Sequence, residues 1–201
     1  MVVPSPRNYI IAKLDPVILS TPFTIQTSWH VISGAPCSGK TTLIDQLAAK
    51  GFQTVLETAR YYFKREMGKG HSSQEIRNSG YPTQRAIFDM QVRNERRLRP
   101  NEAAFLDRGL PDSLTFLRVF GLNPNEILPE CYDHRYASVF ILDRLPIERK
   151  IKLGPEDDAT AEFLDEWLER DYSALGYSVV RVPVIPPQGR LGYILERLSE
   201  F

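Results

Sequence analysis

From Trp29 onward, short apolar runs alternate with longer stretches whose apolar positions recur at helical spacing. Trp29 to Ser33 is the first such run; it ends in a glycine-rich turn and predicts strand one. Lys40 to Lys50 carries Leu43, Ile44, Leu47 and Ala48 at helical spacing, and Gly51 stops that helix. Phe52 to Leu56 predicts strand two, ending at Glu57, and Thr58 to Met67 a helix. Gly68 to Gly80 reads as a mobile loop. Pro82 to Leu98 predicts a long helix, with a proline near its start and Pro100 after its end. Ala103 to Asp107 is strand three, Leu110 to Phe120 a helix ended by Gly121, and Pro124 to Tyr132 a shorter helix. Ala137 to Leu142 is strand four, Ala159 to Leu175 a long helix before Gly176, Ser178 to Val182 strand five, and Gln188 to Leu198 the closing helix. Residues Met1 to Ser28 are irregular, broken by Pro4, Pro6, Pro16 and Pro22; Tyr9-Ile10-Ile11 and Val17-Ile18-Leu19 read as short strands or as segments packing across the core. We read 1–28 as an arm and 29–201 as the domain.

Five short apolar strands alternating with helices predict an α/β fold of three layers, a mostly parallel sheet covered on both faces. The 201 residues fit one domain with a sizeable core, and 42% hydrophobic with 25% charged residues is ordinary for a soluble globular chain. Lys plus Arg and Asp plus Glu both count 25, so net charge gives no global pull toward nucleic acid or an anionic membrane. The helix with Arg85, Arg93, Arg96, Arg97 and Arg99 has little aromatic interleaving, which weighs against a nucleic-acid partner. Asp158, Glu162, Asp165, Glu166 and Glu169 on the later helix read as a solvated acidic face. The two cysteines, Cys37 and Cys131, do not form a disulfide framework, and no signal peptide or run of roughly 18 to 20 apolar residues is present, so a cytoplasmic location is expected.

The chemistry starts after strand one. Gly34-Ala35-Pro36-Cys37-Ser38-Gly39-Lys40-Thr41 fits G-x-x-x-x-G-K-[ST], follows a strand and opens a helix, with Thr42 next. Such a loop turns backbone N–H groups toward phosphate oxygens and adds the positive end of the helix dipole. Lys40 is placed to reach the β- and γ-phosphates, and the Thr41 hydroxyl to ligate magnesium. The expected cofactors are therefore ATP and Mg2+. No Asn-Lys-x-Asp segment selects guanine, which favours ATP.

Ligands of open α/β sheets bind beyond the carboxyl ends of the strands, where Glu57, Asp107 and Asp143 are predicted. Asp107 suits a magnesium-site carboxylate, direct or through water; a helix N-cap is the other reading. Arg108 follows where many P-loop ATPases place a glutamate, which weighs against a plain ATPase. Glu57 is the candidate general base for an acceptor hydroxyl; holding a magnesium-bound water, holding the acceptor, capping a helix or lying at the surface are its alternatives. Arg60 is placed one turn on, to bind acceptor or phosphate or to pair with Glu57. Gln84, Phe88 and Gln91 lie on one helical face that either grips an acceptor or is surface. Arg144, Arg149, Lys150 and Lys152, with a turn at Gly154-Pro155, form either a lid supplying cations to the transferring phosphoryl or a solvated charge run.

Taken together, Gly34 to Thr42, Glu57-Thr58-Ala59-Arg60, Gln84 to Gln91, Phe105-Leu106-Asp107-Arg108-Gly109-Leu110-Pro111-Asp112 and the tail Leu175-Gly176-Tyr177 to Val182-Pro183 resemble the AAA-type ATPase/kinase-like P-loop family related to the nicotinamide riboside kinase domain of NadR. The similarity covers about residues 29 to 200. It implies a fold of nucleoside/nucleotide-kinase type with a parallel sheet in the order 2-3-1-4-5. It also implies an acceptor-facing acid at Glu57, an Asp-Arg pair at Asp107 and Arg108, and lid arginines at Arg144 and Arg149. The expected function is a small-molecule kinase acting on a hydroxyl of a metabolite, nucleosides included. The competing function is a nucleotide-dependent binding module or switch with a lipid or protein partner and slow hydrolysis.

Overall fold

The structure, a computed structural model, describes residues 9–146 and 158–198. Arg149, Lys150, Lys152 and the Gly154-Pro155 turn lie outside the described residues. The elements are α1 (Pro16–Leu19), β1 (Ile25–Gln26), β2 (Trp29–Ser33), α2 (Lys40–Ala49), β3 (Gln53–Val55), α3 (Thr58–Gly68), α4 (Ser73–Asn78), α5 (Tyr81–Glu95), β4 (Ala104–Asp107) and α6 (Asp112–Val119). Two 3-10 turns (Pro124–Glu126 and Pro129–Tyr132) lead to β5 (His134–Arg135), β6 (Ser138–Leu142), α7 (Asp158–Ala174), β7 (Val179–Val182) and α8 (Pro187–Leu198).

The main sheet is all parallel and runs β3-β4-β2-β6-β7. Its chain numbering differs from the expected 2-3-1-4-5 because β1 and β5, not foreseen above, pair with each other and take numbers of their own. The side chains of the strands divide into two cores by simple alternation. Val31, Leu106, Val139 and Ile141 pack with α5, α6 and α7, through Phe88, Leu114, Leu168 and Tyr172. Ile32, Phe105, Phe140 and Leu142 point the other way, onto Leu43, Ile44 and Leu47 of α2 and Leu191 and Ile194 of α8. Burial on both faces explains why these strands read as continuous apolar runs.

Three local expectations need correction. The segment 68–80 holds a helix, α4, started by a capping box: Ser72 Oγ accepts from the Glu75 N–H at 3.2 Å, and Glu75 Oε2 from the Ser72 N–H at 2.7 Å. Pro124 to Tyr132 is two 3-10 turns, since Pro129 has no N–H to continue a helix. In the arm, Val17 to Leu19 belongs to α1, whose N-cap Asp15 accepts from the Val17 N–H at 2.8 Å. The arm is tied down by distant partners: Asp15 donates its N–H to Asn125 Oδ1 at 2.9 Å, and Ile10 donates to Arg118 O at 3.1 Å.

Behind the sheet, Glu95 is 1% exposed, and its carboxyl accepts from Tyr136 Oη at 3.0 and 3.1 Å and from Gln91 Nε2 at 3.3 Å. Burial raises its pKa from the ordinary 4.5 to about 8. A raised folded-state value means that the folded protein holds a proton which the unfolded chain has released. The stability this confers is complete below about pH 4.5 and is lost as pH rises through about 8. Glu95→Gln keeps a neutral acceptor, so between pH 5 and 8 the wild type is expected to lose up to about 1.4 kcal/mol per pH unit relative to the variant. Denaturant melts across that range measure this; a constant gap would show that Glu95 is not protonated in the native state.

Candidate functional site

The loop from β2 to α2 wraps under the carboxyl ends of the strands. Gly34 has φ +143°, and a Cβ there would stand 2.8 Å from both Leu142 O and Ser38 Oγ, so only glycine lets the loop close against β6. Gly39 and Cys37 also take positive φ. Pro36 to Thr42 line a cavity of about 840 Å3, while Gly34 and Ala35 lie behind it. Lys40 is the first residue of α2 and 8% exposed; its Nζ donates to Gly34 O at 2.7 Å and Ala35 O at 3.2 Å. Burial, with Arg108 nearby, lowers the Lys40 ammonium pKa to about 8. From behind, Arg190 of α8 donates to Ser38 O, to Asp143 O at 3.1 Å and to Pro183 O at 3.0 Å. It ties the loop to the ends of β6 and β7. No motif marks Arg190, since it stands far from the loop in sequence.

Glu57 and Arg108, from the ends of β3 and β4, meet at the cavity. Arg108 Nε donates to Glu57 Oε1 at 2.9 Å and Arg108 Nη1 to Asp112 Oδ1 at 3.0 Å. Arg108 has φ +77°, a costly conformation for a residue with a Cβ, and its neighbours over-determine it. Its N–H bonds Ile32 O at 3.1 Å, its carbonyl accepts from Gln91 Nε2 at 3.0 Å, and its guanidinium lies 4.9 Å from the Phe116 ring centre. Burial pushes the Glu57 pKa up, but the charge and hydrogen bond of Arg108 outweigh it, so Glu57 stays below the usual carboxylate range. Glu57 makes no side-chain cap on α3, so the helix-cap alternative is absent.

Asp112 organises this group and was not singled out as a site residue above. It is 1% exposed, with Oδ1 accepting from Ser33 Oγ at 2.5 Å and Oδ2 from Tyr172 Oη at 2.7 Å and the Gly109 N–H at 3.0 Å. A Cβ on Gly109 would fall 2.6 Å from Tyr172 Oη and 2.9 Å from the Tyr136 ring, which explains the glycine. The available signal was the spacing of Arg108 and Asp112, four apart at the start of a helix.

Asp107 is buried, does not line the cavity, and leaves Oδ1 without a hydrogen-bond partner among the described residues. Burial and the Glu57 charge raise its pKa to about 6. A buried carboxylate oxygen with nothing to accept fits a cation or its water. Among the described residues no three His, Cys, Asp or Glu side chains cluster as metal ligands. A Mg2+ ion held by few side chains and by phosphates needs no such cluster. Thr41 Oγ1 accepts instead from Arg60 Nη2 at 3.0 Å.

The remaining expectations divide. Gln84 lines the cavity, as does Gln91, whose amide is spent on Arg108 and Glu95. Phe88 does not: it is 1% exposed in the core, because the apolar stripe of α5 faces the sheet, and Ile87 lines the cavity in its place. Arg144 pairs with Asp158 at 3.0 Å and does not line the cavity. Asp143 pairs with Arg181 at 2.8 Å. The acidic face of α7 is partly neutralised, Asp165 by Arg181 at 2.9 Å and Glu169 by the same guanidinium at 3.5 Å. No helix among the described residues is long and apolar enough to cross a membrane.

With known proteins, the AAA domain family matches residues 29–190. No curated protein matches the chain by sequence. Deoxyadenosine kinase from M. mycoides, with the products dCMP and a flexible dCDP bound, superposes with a TM-score of 0.61 at 16% identity, over 86% of this chain and 98% of that one. The NadR protein in complex with NR superposes with a TM-score of 0.65 at 18% identity, over 87% of this chain and 51% of that one. The chain thus spans about half the length of NadR. Such identities show the fold alone. The chain belongs to the AAA domain family and carries the parallel-sheet α/β fold of P-loop nucleoside kinases.

Proposed function

We propose that this protein binds Mg-ATP on the Gly34–Thr42 loop and transfers the γ-phosphoryl to a hydroxyl of a small acceptor. One observation carries the reading: the cavity that begins at Pro36 to Thr42 continues past Glu57 and Arg108 to α3, α4, α5 and α6, leaving room beyond the phosphates for a second molecule. A switch that only hydrolyses nucleotide needs no such space.

In this reading the backbone of the loop holds the phosphates. Lys40 leaves the carbonyls of Gly34 and Ala35 for the β- and γ-phosphate oxygens. Thr41 Oγ1, after Arg60 moves off it, and Asp107 would hold Mg2+, which when bound neutralises phosphate charge. Glu57 Oε1 is fixed by Arg108, whereas among the described residues Oε2 has only Arg60 at 3.5 Å and can accept from an acceptor hydroxyl. As the γ-phosphorus bond to the bridging oxygen breaks and the bond to the acceptor oxygen forms, the hydroxyl proton passes to Glu57 and then to water. Arg108 keeps that carboxylate ionised and aimed.

Glu57→Gln is expected to lower transfer about 100-fold or more while ATP still binds. Full transfer in the variant with the true acceptor would remove Glu57 as the base. Binding of Mg-ATP is expected to be tightest between about pH 6 and 8. Above the Lys40 value of about 8 the ammonium must regain a proton to bind phosphate, so affinity falls up to about tenfold per pH unit. Below the Asp107 value of about 6 the carboxylate is protonated, so the contribution of magnesium fades. Calorimetry with and without Mg2+ across pH 5 to 10 tests both limbs; a flat profile would contradict them.

A further inference from the structure

The cations lining the cavity are not all explained by the nucleotide. Lys40 belongs to the phosphates. Arg108 is neutralised by Glu57 and Asp112, and Arg60 pairs with Glu57. Lys64 of α3 and Arg77 of α4 also line the cavity, and among the described residues neither has a carboxylate within ion-pair distance. Their neighbours differ: on the same helix Arg65 and Lys69 share Glu66 at 2.8 and 3.0 Å. Arg77 is half-buried, with its guanidinium 5.1 Å from the Phe63 ring centre. That contact orients the planar fork without neutralising it.

Position supplies the second argument. Glu57, Arg60, Lys64 and Met67 recur at intervals of three and four residues, so one face of α3 runs along the cavity. Lys64 lies two turns from Glu57, about 10 Å along the helix. The cavity walls also carry apolar side chains: Phe63, Met67, Ile87, Phe116 and Phe120. The cavity therefore offers a hydroxyl-accepting carboxylate, apolar rings and, two turns along α3 from that carboxylate, a lysine that, like Arg77, has no carboxylate partner among the described residues.

We propose that the part of the cavity lined by Lys64 and Arg77 is a phosphate-recognition subsite, and that the acceptor is a ring-bearing molecule that already carries a phosphomonoester in addition to the hydroxyl to be phosphorylated. The inference rests on the kinase reading for the word acceptor, though not for the binding it predicts. A point charge and a guanidinium fork on the same cavity wall, Arg77 lying against the ring of Phe63 next to Lys64, suit a dianion better than a carboxylate. The reaction then converts a monophosphate with a free hydroxyl into a bisphosphate, ATP into ADP, and releases one proton. A preceding phosphorylation of the same skeleton must supply such an acceptor.

The test is binding by calorimetry to the full chain saturated with a non-hydrolysable Mg-ATP analogue, using adenosine and uridine against their 5′-monophosphates. Each monophosphate is expected to bind at least about tenfold tighter than its nucleoside, the gain of one charge-assisted contact. In the Lys64→Gln/Arg77→Gln double variant that gain should drop below about threefold, with thermal melting confirming the fold; Lys64→Gln alone, at an exposed position, serves if the double variant does not fold. Equal affinity of the two members, no binding by either, or a preference that survives the substitutions overturns the proposal. Turnover is scored separately. Phosphate-selective binding without any transfer would instead sink the kinase reading and leave the subsite standing.

Discussion

Lys40→Ala is expected to abolish measurable phosphoryl chemistry, a loss on the order of 1,000-fold, and to weaken triphosphate binding severely. The size follows from what surrounds the residue. Lys40 is the one cation at the start of α2, 8% exposed, and neighbouring cations are committed elsewhere. Arg108 is held by Glu57 and Asp112, and Arg190 by the carbonyls of Ser38, Asp143 and Pro183. None can replace it without releasing a buried partner. Lys40→Arg should recover little, because a planar fork does not fit where one ammonium now bonds two carbonyls 2.7 and 3.2 Å away. Nucleotide titration and turnover on folded variants, checked by circular dichroism, measure this.

Asp171→Ala is expected to cost about 3–5 kcal/mol of stability. Arg118 and Asp171 are 1% and 2% exposed at their side chains and meet at 2.8 Å. Arg118 Nη1 also donates to Ala12 O at 2.6 Å, and its guanidinium lies 4.3 Å from the Trp167 ring centre. Removing Asp171 leaves a buried guanidinium without its carboxylate. For a chain of this size the melting temperature should fall on the order of 10 °C. The arm should loosen as well, since its carbonyls depend on the same guanidinium; hydrogen exchange at Ile10 and its neighbours reports that. Replacing both partners, as Arg118→Met with Asp171→Leu, should restore much of the loss, because no charge is left unpaired.

The sheet was legible in the sequence because its central strands β2, β4 and β6 are buried on both faces and so read as short apolar runs, while the edge strands β3 and β7 are more open. The Gly34–Thr41 loop was legible as a turn between a strand and a helix because its glycines and its lysine stand where β2 ends and α2 begins. What escaped was held by partners far away in the chain. The arm takes its shape from Arg118 and Asn125, and no local pattern announces that. The α4 helix was readable in principle: Ser72 and Glu75 have capping-box spacing, but the glycines on either side suggested a loop. Within the site, Glu57, Arg60, Arg108, Gln84 and the loop do converge on one cavity. Phe88 and Arg144 do not line it, because helical spacing alone does not say which face meets the sheet, and charge alone does not say which carboxylate lies near. Asp112 and Arg190 went unnoticed for the converse reason: buried polar residues that brace a site look like ordinary helix positions until the fold brings their partners together.

The most direct test of the central claim follows the label of γ-labelled ATP in the presence of magnesium and a panel of hydroxyl-bearing acceptors, nucleosides and their monophosphates included. The account predicts label in an organic phosphomonoester, with one acceptor raising ADP formation at least about tenfold and Glu57→Gln suppressing that rise. Label found only in retained ATP and slowly formed inorganic phosphate, whatever the acceptor, would contradict it.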